Sequence, residues 1–196
     1  NIALIFGGRS GEHEISLISA AAIARGIEDS NNIVLIGISK DGKWYLQDKS
    51  ELERIKKDTK SPLIIQEKEE NLVSVIPGKG KKSFVVNGNC LDVDVIFPAL
   101  HGTYGEDGTI QGLFEMLDIP YVGCTHISSA LTMDKEKTKM IWQSVGLPVV
   151  PYVCMKRFVM MDSVLYDAFI EDTEKELGYP MFVKPCCAGS SNGAAK

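Results

Sequence analysis

Apolar and polar positions alternate along the first part of the chain in a pattern typical of strands and helices packed in layers. Residues 2–6 form a short apolar run that predicts a buried strand, and a glycine-rich turn follows at residues 7–11. Residues 12–27 then repeat apolar side chains at helical spacing. We expect this helix to pack on a sheet through one face, formed by Ile15, Ile18, Ala22 and Ile23.

A second strand is predicted at residues 33–38, where the chain is again apolar. Asp41 and Gly42 form a turn signal that joins hairpin strands, and residues 44–46 supply the partner strand. Three more core elements follow, a strand, a helix and a strand, at residues 93–97, 109–117 and 121–123. Strands that alternate with helices predict a parallel sheet with right-handed crossovers, which binds ligands beyond the carboxyl ends of its strands.

The segment between residues 48 and 80 is charged and poorly periodic. Its pattern predicts only a short helix at residues 50–57 and two weak strands around Leu63 and Val73. We interpret residues from about 40 to 88 as a peripheral insertion in the α/β unit.

The pattern changes after Met133. It predicts a helix, a strand, a second helix and a second strand, at residues 134–145, 149–155, 162–177 and 181–184. We therefore divide the chain into an α/β domain with a Rossmann-like parallel sheet at residues 1–130 and the beginning of an α+β domain at residues 131–196. The second domain is expected to be truncated, because nothing after its last glycine-rich loop closes its sheet.

Composition excludes several classes of protein. The chain has 196 residues, of which 44% are hydrophobic and 24% charged, so a disordered chain is excluded. A formal net charge of -5 disfavours a broad nucleic-acid surface. Five irregularly spaced cysteines fit a reducing intracellular compartment. With no signal-peptide pattern and no apolar run of membrane-spanning length, the sequence predicts a cytoplasmic protein.

The first candidate for chemistry is the turn from Gly7 to Glu14, where a strand passes into a helix. Glycines allow positive φ angles, and a helix start directs unpaired N–H groups at an anion. The spacing is not the G-x-G-x-x-G pattern of dinucleotide sites. Glu12 and Glu14 have two interpretations: both stabilise the helix dipole, or one of them binds a substrate ammonium.

The second candidate is the loop at residues 101–112, which follows a core strand and therefore lies at the ligand-binding edge of the sheet. Its glycines suit a backbone that folds closely around a small substrate, with His101 at the strand exit. The alternative is that His101 is a structural histidine and Asp107 caps the next helix.

The third candidate is the segment from Phe182 to Gly193. Lys184 at a strand end, followed by a small hydroxyl-bearing loop, is suited to bind polyphosphate, although it is not a Walker A loop. Lys135 is a possible second phosphate lysine, or an ordinary solvated lysine at a helix start. A surface hairpin is the alternative for the whole segment, and we interpret its adjacent cysteines, Cys186 and Cys187, as small packing residues.

These segments, taken together and in order, resemble the D-alanine:D-alanine ligase family of the ATP-grasp superfamily. The resemblance covers nearly the whole chain. It rests on five pieces in register: Phe6-Gly7-Gly8 with Glu12-His13-Glu14-Ile15-Ser16, the loop at residues 101–112, Gly123 with Ser128-Ser129-Ala130-Leu131, Met133-Asp134-Lys135, and Val183-Lys184-Pro185 with Gly189-Ser190-Ser191. It implies a pre-ATP-grasp domain followed by the first part of the ATP-grasp central domain.

The resemblance also implies a reaction and a set of roles. ATP would phosphorylate the carboxylate of one D-alanine, and the amine of a second D-alanine would attack the acyl phosphate, giving a dipeptide for peptidoglycan precursors. Glu12 would orient the first ammonium, as a catalytic and substrate-binding residue, and His101 would lie beside the carboxylate. Lys135, Lys184, Ser190 and Ser191 would bind ATP, with Ser190 also catalytic as its loop closes.

The chain lacks some features of the family and departs from others. The ligands for Mg²⁺ are expected beyond residue 196, so no metal ligand is assigned here. Asn192 and the cysteines at 186 and 187 depart from the loop sequence usual in the family.

The long insertion also resembles D-alanine:D-serine ligases of vancomycin resistance, and a D-lactate ligase is a further alternative. Expected partners are ATP, D-alanine and a second copy of the chain, bound through the first domain, with neither nucleic acid nor membrane.

Two rival interpretations come from other functional classes. A nicotinamide-dependent oxidoreductase shares the strand–turn–helix opening, but the glycine fingerprint is missing. A non-catalytic nucleotide-binding or dimerisation fragment is the second rival. Since much of the nucleotide site is expected beyond residue 196, residues 1–196 alone are predicted to be inactive.

Overall fold

The computed structural model describes all 196 residues and divides into two compact units, Asn1–Ala130 and Leu131–Lys196. Seven strands belong to the first unit: β1 (Ile2–Gly7), β2 (Ile33–Ile38), β3 (Trp44–Leu46), β4 (Val73–Val75), β5 (Phe84–Val86), β6 (Asn89–Leu91) and β7 (Val95–Ala99). The helices are α1 (His13–Gly26), α2 (Ser50–Lys57), α3 (Thr109–Met116), α4 (His126–Met133), α5 (Lys135–Ser144), α6 (Arg157–Met160) and α7 (Ser163–Leu177). Two 3₁₀ turns occur at Glu69–Asn71 and Gly80–Lys82.

The main sheet has the strand order β3-β2-β1-β7. β1 pairs in parallel with β2 on one side and β7 on the other, while β3 is an antiparallel edge strand joined to β2 by the predicted hairpin. Because side chains alternate across a strand, Ala3 and Ile5 enter one core cluster and Leu4 and Phe6 the other. The α/β fold class predicted from the sequence is confirmed.

Most of the packing face predicted for α1 is wrong, although Ile23 does pack, partly buried, against the core. The helix buries Ser16, Ala20 and Ala24, whereas Ile15 and Ile18 are 50% and 55% exposed. Small side chains let the helix backbone approach the sheet closely, and this favours the serine and alanine face over the isoleucine face.

The insertion is better ordered than its sequence pattern indicates. β4, β5 and β6 form an antiparallel three-stranded sheet, of which only the strand near Val73 was predicted. No strand forms at Leu63, although this side chain is buried. Phe84 belongs to the same core cluster as the main sheet and stacks on Trp44 with 6.1 Å between ring centroids. The insertion is therefore part of the core and not peripheral.

The predicted core strands at residues 93–97 and 121–123 also differ from the structure. β7 begins at Val95 and extends to Ala99, two residues beyond the predicted end. The predicted strand at residues 121–123 is reduced to a single parallel bridge between Ile96 and Tyr121. The main sheet therefore ends at β7.

The second unit is mainly helical. Asp134 and Asp162 accept hydrogen bonds from backbone N–H groups at the starts of α5 and α7, as expected for N-cap residues. The predicted strand at residues 149–155 is absent, and the one at 181–184 is a single antiparallel bridge between Val183 and Ala195. A strand needs a partner ladder, and these residues supply only that bridge.

Candidate functional site

A buried serine fixes the two strand ends of the first unit to each other. Ser16 Oγ accepts a hydrogen bond from the N–H of Gly7 at 2.7 Å and donates one to the carbonyl of Ala99. Gly7 ends β1 and Ala99 ends β7. The glycine turn and the histidine loop therefore leave the sheet at adjacent points.

The turn after β1 requires glycine at its first position. Gly7 has a φ of +90°, and a Cβ atom there would lie 2.2 Å from the carbonyl oxygen of Ile38. Ser10 then joins the two loops, because its hydroxyl donates to the carbonyl of His101 at 2.6 Å and accepts from the N–H of Glu12 at 3.2 Å. This pair of bonds sets the position of Glu12 at the start of α1.

The carboxylate of Glu12 points toward the histidine loop. A Cβ atom at Gly102 would lie 2.8 Å from Glu12 Oε2, so only glycine leaves room for this carboxylate. No side chain or backbone group of the protein forms a hydrogen bond or ion pair with it. Glu14 differs, because it forms an exposed ion pair with Lys40 at 2.8 Å that lowers its pKa. Of the two glutamates, Glu12 is the one available to a ligand.

His101 is held by contacts at both ring nitrogens. Its Nε2 is hydrogen bonded to Ser19 Oγ at 2.9 Å, and its Nδ1 lies 3.8 Å from Glu106 Oε1. Glu106 in turn accepts the N–H of Gly102 at 2.7 Å. The ring remains partly exposed, so its orientation is fixed while part of it stays accessible to a small molecule.

Asp107 has a structural role at the start of α3. Its carboxylate accepts the N–H groups of Tyr104 at 2.9 Å and Thr109 at 3.0 Å. Partial burial by itself raises the pKa of Asp107, but these hydrogen bonds together outweigh burial, and the pKa is lowered. Asp107 therefore stabilises the loop as an anion, which agrees with the capping interpretation.

In the second unit, Lys135 is tied to the glycine-rich loop. Its N–H donates to the carbonyl of Cys186 at 3.0 Å, and its ammonium donates to the carbonyl of Ala188. The side chain is half-buried. Lys135 is therefore not an ordinary solvated lysine at a helix start.

The loop at residues 184–194 is closed at its base by two hydrogen bonds between Val183 and Ala195, both 2.9 Å long. Ser190 and Ser191 have φ angles of +55° and +57°, a left-handed conformation that is uncommon for residues other than glycine. Both are exposed, and the N–H of Asn192 donates to the carbonyl of Gly189 at 2.9 Å. The segment is thus a hairpin-closed loop that exposes two hydroxyl groups.

Lys184 is exposed and forms neither a hydrogen bond nor an ion pair within the protein. Its ammonium lies 5.9 Å from the centroid of the Phe182 ring. An unpaired cation beside a loop with exposed hydroxyls is suited to an anionic ligand.

The structure contains no group of three or more His, Cys, Asp or Glu side chains that could bind a metal ion. None of its helices has the length and apolar character needed to span a membrane. No side chain of residues 1–196 is assigned as a ligand for Mg²⁺.

Three serines of the first site were not assigned a role from the sequence. Ser10 sets the position of Glu12, Ser19 orients the His101 ring, and Ser16 joins the ends of β1 and β7. The sequence offers one indication for Ser16 and Ser19. They are two hydroxyl side chains three residues apart, on a helix that is otherwise rich in alanine and isoleucine.

Comparisons with known proteins agree over the whole chain. Residues 1–124 match the family model described as "D-ala D-ala ligase N-terminus", and residues 141–196 match "D-ala D-ala ligase C-terminus". A D-alanine–D-alanine ligase of Treponema denticola is 53% identical over 195 residues, covering 99% of this chain and 53% of that protein. The corresponding ligase of Treponema pallidum is 47% identical, covering 100% of this chain and 49% of that protein.

Solved structures of similar proteins superimpose on nearly the whole chain. The D-alanine–D-alanine ligase of Coxiella burnetii superimposes with a TM-score of 0.76 at 32% identity, over 99% of this chain and 53% of that one. The VanG D-Ala:D-Ser ligase of Enterococcus faecalis superimposes with a TM-score of 0.74 at 38% identity, over 98% and 54%. The chain spans about half the length of the curated relatives it matches.

Proposed function

Because the chain belongs to the D-alanine–D-alanine ligase family, we propose that the full-length protein joins two D-alanines with ATP. The product, D-alanyl-D-alanine, serves in peptidoglycan precursor synthesis for the cell wall. In this proposal residues 1–130 form the pre-ATP-grasp domain and residues 131–196 form the first part of the ATP-grasp central domain. The protein acts in the cytoplasm, where ATP is available.

Glu12 binds the ammonium of the first D-alanine in this proposal. Its carboxylate has no partner from the protein, so a substrate ammonium would supply the missing charge. His101, oriented by Ser19, lies beside the substrate carboxylate. A short zwitterion placed between an anion and an imidazole is fixed at both ends, which is the positioning that acyl activation requires.

Lys135, Lys184, Ser190 and Ser191 bind the ATP phosphates. Lys184 is the unpaired cation, and the two serines supply exposed hydroxyl donors. Lys135 holds the backbone of the loop through the carbonyl of Ala188. Phosphoryl transfer depends mainly on positioning and on neutralising charge, which lysines and hydroxyl donors supply. Mg²⁺ would add to this neutralisation, with its ligands expected beyond residue 196.

The reaction has two balanced steps. A carboxylate oxygen of the first D-alanine attacks the γ-phosphorus of ATP, the bond to the β-phosphate oxygen breaks, and ADP leaves. The amine of the second D-alanine then attacks the acyl carbon, loses a proton, and displaces inorganic phosphate. Ser190, on the loop at residues 184–194, contributes a hydroxyl as the loop closes over the reacting groups.

The observation that supports this proposal most directly is the unpartnered Glu12 carboxylate beside Gly102 and the oriented His101. The test is to incubate the full-length protein with ATP, Mg²⁺ and D-alanine, and to measure dipeptide by mass spectrometry and phosphate by a coupled assay. We expect one dipeptide per phosphate, and we expect Glu12→Gln to raise the KM for D-alanine while Glu14→Gln leaves it unchanged. No phosphate release with any D-amino acid would contradict the ligase assignment.

A D-alanine:D-serine ligase is the second candidate, because the VanG D-Ala:D-Ser ligase is 38% identical to this chain. The two candidates share the first substrate and differ in the second. Competition between equal concentrations of D-alanine and D-serine distinguishes them, since the ratio of the two dipeptides gives the ratio of kcat/KM values directly.

The full-length protein is also proposed to form a homodimer through its first unit, as the family resemblance implies. Sedimentation velocity at increasing protein concentration tests this point. A monomer at all concentrations would contradict it.

A further inference from the structure

Two thiols of the second unit lie close enough to react with each other. Cys154 Sγ and Cys186 Sγ are 3.8 Å apart and share a thiol hydrogen bond, although 32 positions separate them in sequence. A disulfide bond is about 2.0 Å long, so the two sulfurs must approach by somewhat less than 2 Å. Both side chains are partly accessible to solvent, which allows a small oxidant to reach them.

The position of Cys186 connects this thiol pair to the loop at residues 184–194. The carbonyl of Cys186 accepts the N–H of Lys135, and the ammonium of Lys135 donates to the carbonyl of Ala188. Cys186 therefore lies in the turn that Lys135 holds. A covalent bond from this sulfur to Cys154 would restrain the same turn.

The surroundings of Cys154 indicate that it is the resolving thiol of the pair. Burial and the neighbouring Cys186 raise the pKa of Cys154 to about 11, so Cys154 is a protonated thiol at neutral pH and reacts slowly with oxidants. The ammonium of Lys156 lies 3.9 Å from Cys154 Sγ and is itself paired with Glu136 at 2.5 Å. This cation lies close enough to stabilise the Cys154 thiolate from which the attack on an oxidised partner proceeds.

We propose that Cys154 and Cys186 form a peroxide-responsive dithiol site, whose disulfide restrains the loop at residues 184–194. Cys186 attacks hydrogen peroxide, giving a sulfenic acid and one water. Cys154 then attacks the sulfenyl sulfur, the S–O bond breaks, and hydroxide leaves with the thiol proton as a second water. The two thiols lose two electrons in total and the peroxide gains them, so the reaction needs no other reactant. Glutathione or another small thiol reverses it.

The functional effect of this disulfide rests on the proposed function. If the loop closes on ATP phosphates, a cross-link to Cys154 opposes closure. Oxidation should then lower turnover roughly tenfold, as expected when a loop that must move is restrained, and dithiothreitol should restore it. Transient, regulatory disulfides are the kind that occur in reducing compartments.

The chain provides matched controls. Cys187 is adjacent to Cys186 and exposed, while Cys90 and Cys124 are exposed cysteines of the first unit. If proximity to Cys154 decides the reaction, Cys187→Ser preserves the cross-link and Cys186→Ser abolishes it. Cys154→Ala serves as a second variant, since it removes the resolving thiol and should leave Cys186 as a sulfenic acid that dimedone labels.

The experiment treats the full-length protein with hydrogen peroxide, blocks remaining thiols with iodoacetamide, and maps the peptides by mass spectrometry without reduction. We expect one main cross-linked pair, between the peptides of Cys154 and Cys186. A cross-link through Cys187 instead, or alkylation of both thiols after oxidation, would overturn the proposal.

The same samples are assayed for ATP-dependent dipeptide synthesis before oxidation, after oxidation and after dithiothreitol. A cross-linked enzyme with unchanged turnover would overturn the restraint of the loop. A reduced protein with no ligase activity would reject the proposed function alone, because peptide mapping still decides whether the dithiol site exists.

Discussion

At the scale of single residues, the hydroxyl of Ser19 determines how the His101 ring is presented. The two groups are 2.9 Å apart, and no other hydroxyl contacts Nε2. For the proposed ligase function, we expect Ser19→Ala to raise the KM for D-alanine in the full-length protein, because the ring loses its fixed orientation. One neutral hydrogen bond contributes about 1 kcal/mol, which corresponds to roughly fivefold in affinity.

Ser19→Thr is the matched control, because it keeps the hydroxyl group. Ser19→Thr should retain most of the affinity for D-alanine. In Ser19→Ala, kcat should change less than KM. Equal effects of the two substitutions would show that packing of α1, and not the hydrogen bond, matters at this position.

Gly102 provides a second test at this scale. Its φ is +67° and a Cβ atom would lie 2.8 Å from Glu12 Oε2, so Gly102→Ala should displace the carboxylate and strongly reduce the proposed ligase activity. The left-handed conformation also costs roughly 1 kcal/mol in stability for alanine. Urea denaturation and steady-state kinetics measure the two effects.

Gly112→Ala is the control for this substitution. Gly112 lies within α3, has an ordinary φ, and has open space where a Cβ would be added. Alanine in a helix interior is favoured over glycine by about 0.5–1 kcal/mol, so this variant should be slightly more stable and fully active. Loss of activity in both variants would contradict the special role of Gly102.

Part of the first site could be predicted from the sequence and part could not. Glycines at strand ends mark the turn and the histidine loop, because strand ends and backbone conformation are visible in local sequence. Ser16 and Ser19 could not be assigned, because their partners lie more than 80 positions away. The roles of Glu12, His101, Lys135, Lys184, Ser190 and Ser191 remain predictions that kinetics must test.

At the scale of elements, Glu136 connects α5 to the segment before α6. It pairs with Lys156 at 2.5 Å and with Lys137 at 3.1 Å, and these hydrogen bonds lower its pKa from 4.5 to about 2. Folding therefore favours the ionised form. The stabilisation is complete above pH 4.5 and is lost as the pH falls toward 2.

We expect Glu136→Gln to destabilise the second unit at pH 7 and to reduce its loss of stability between pH 4.5 and 2. In a Trp44→Phe background, the fluorescence of Trp142, within α5, reports the unfolding of this unit in urea titrations at several pH values. Glu171→Gln, which removes an exposed ion pair with Lys175, is the control and should change little. The same acid dependence in Glu136→Gln and the parent would contradict this account.

Helices and strands were not equally predictable. The bounds of α2, α5 and α7 follow from helical periodicity and from the caps at Asp134 and Asp162, which are local signals. The strands of the insertion and the bridge at Tyr121 depend on partners distant in sequence. Most of the packing face of α1 was predicted wrongly, because hydrophobicity alone does not distinguish close approach by alanine from burial of isoleucine.

At the scale of the whole molecule, the two units differ in the core that each builds. Every fully buried hydrophobic side chain lies in the first unit, and Thr173 is the only buried residue of the second. Backbone amides of β1, bonded to strands on both sides, should therefore exchange slowest.

Hydrogen–deuterium exchange followed by mass spectrometry measures this difference on the 196-residue chain. We expect peptides of β1, β2 and β7 to be protected longest, and peptides covering residues 179–196 to exchange first. Equal protection of the two units would contradict the difference in burial. The α/β class was predictable at this scale, since alternation of strands and helices is a property of the entire sequence.

The hydroxyl of Ser16 has a consequence for how this protein can diverge. It bonds to the end of β1 and to the end of β7 at once, so the loop that carries Glu12 and the loop that carries His101 share one anchor. Recombination between relatives that exchanges only one of these loops would combine strand ends from two proteins. Those ends would no longer be matched to the same serine hydroxyl. The two loops should thus be inherited, grafted or redesigned as one block, whatever specificity is sought.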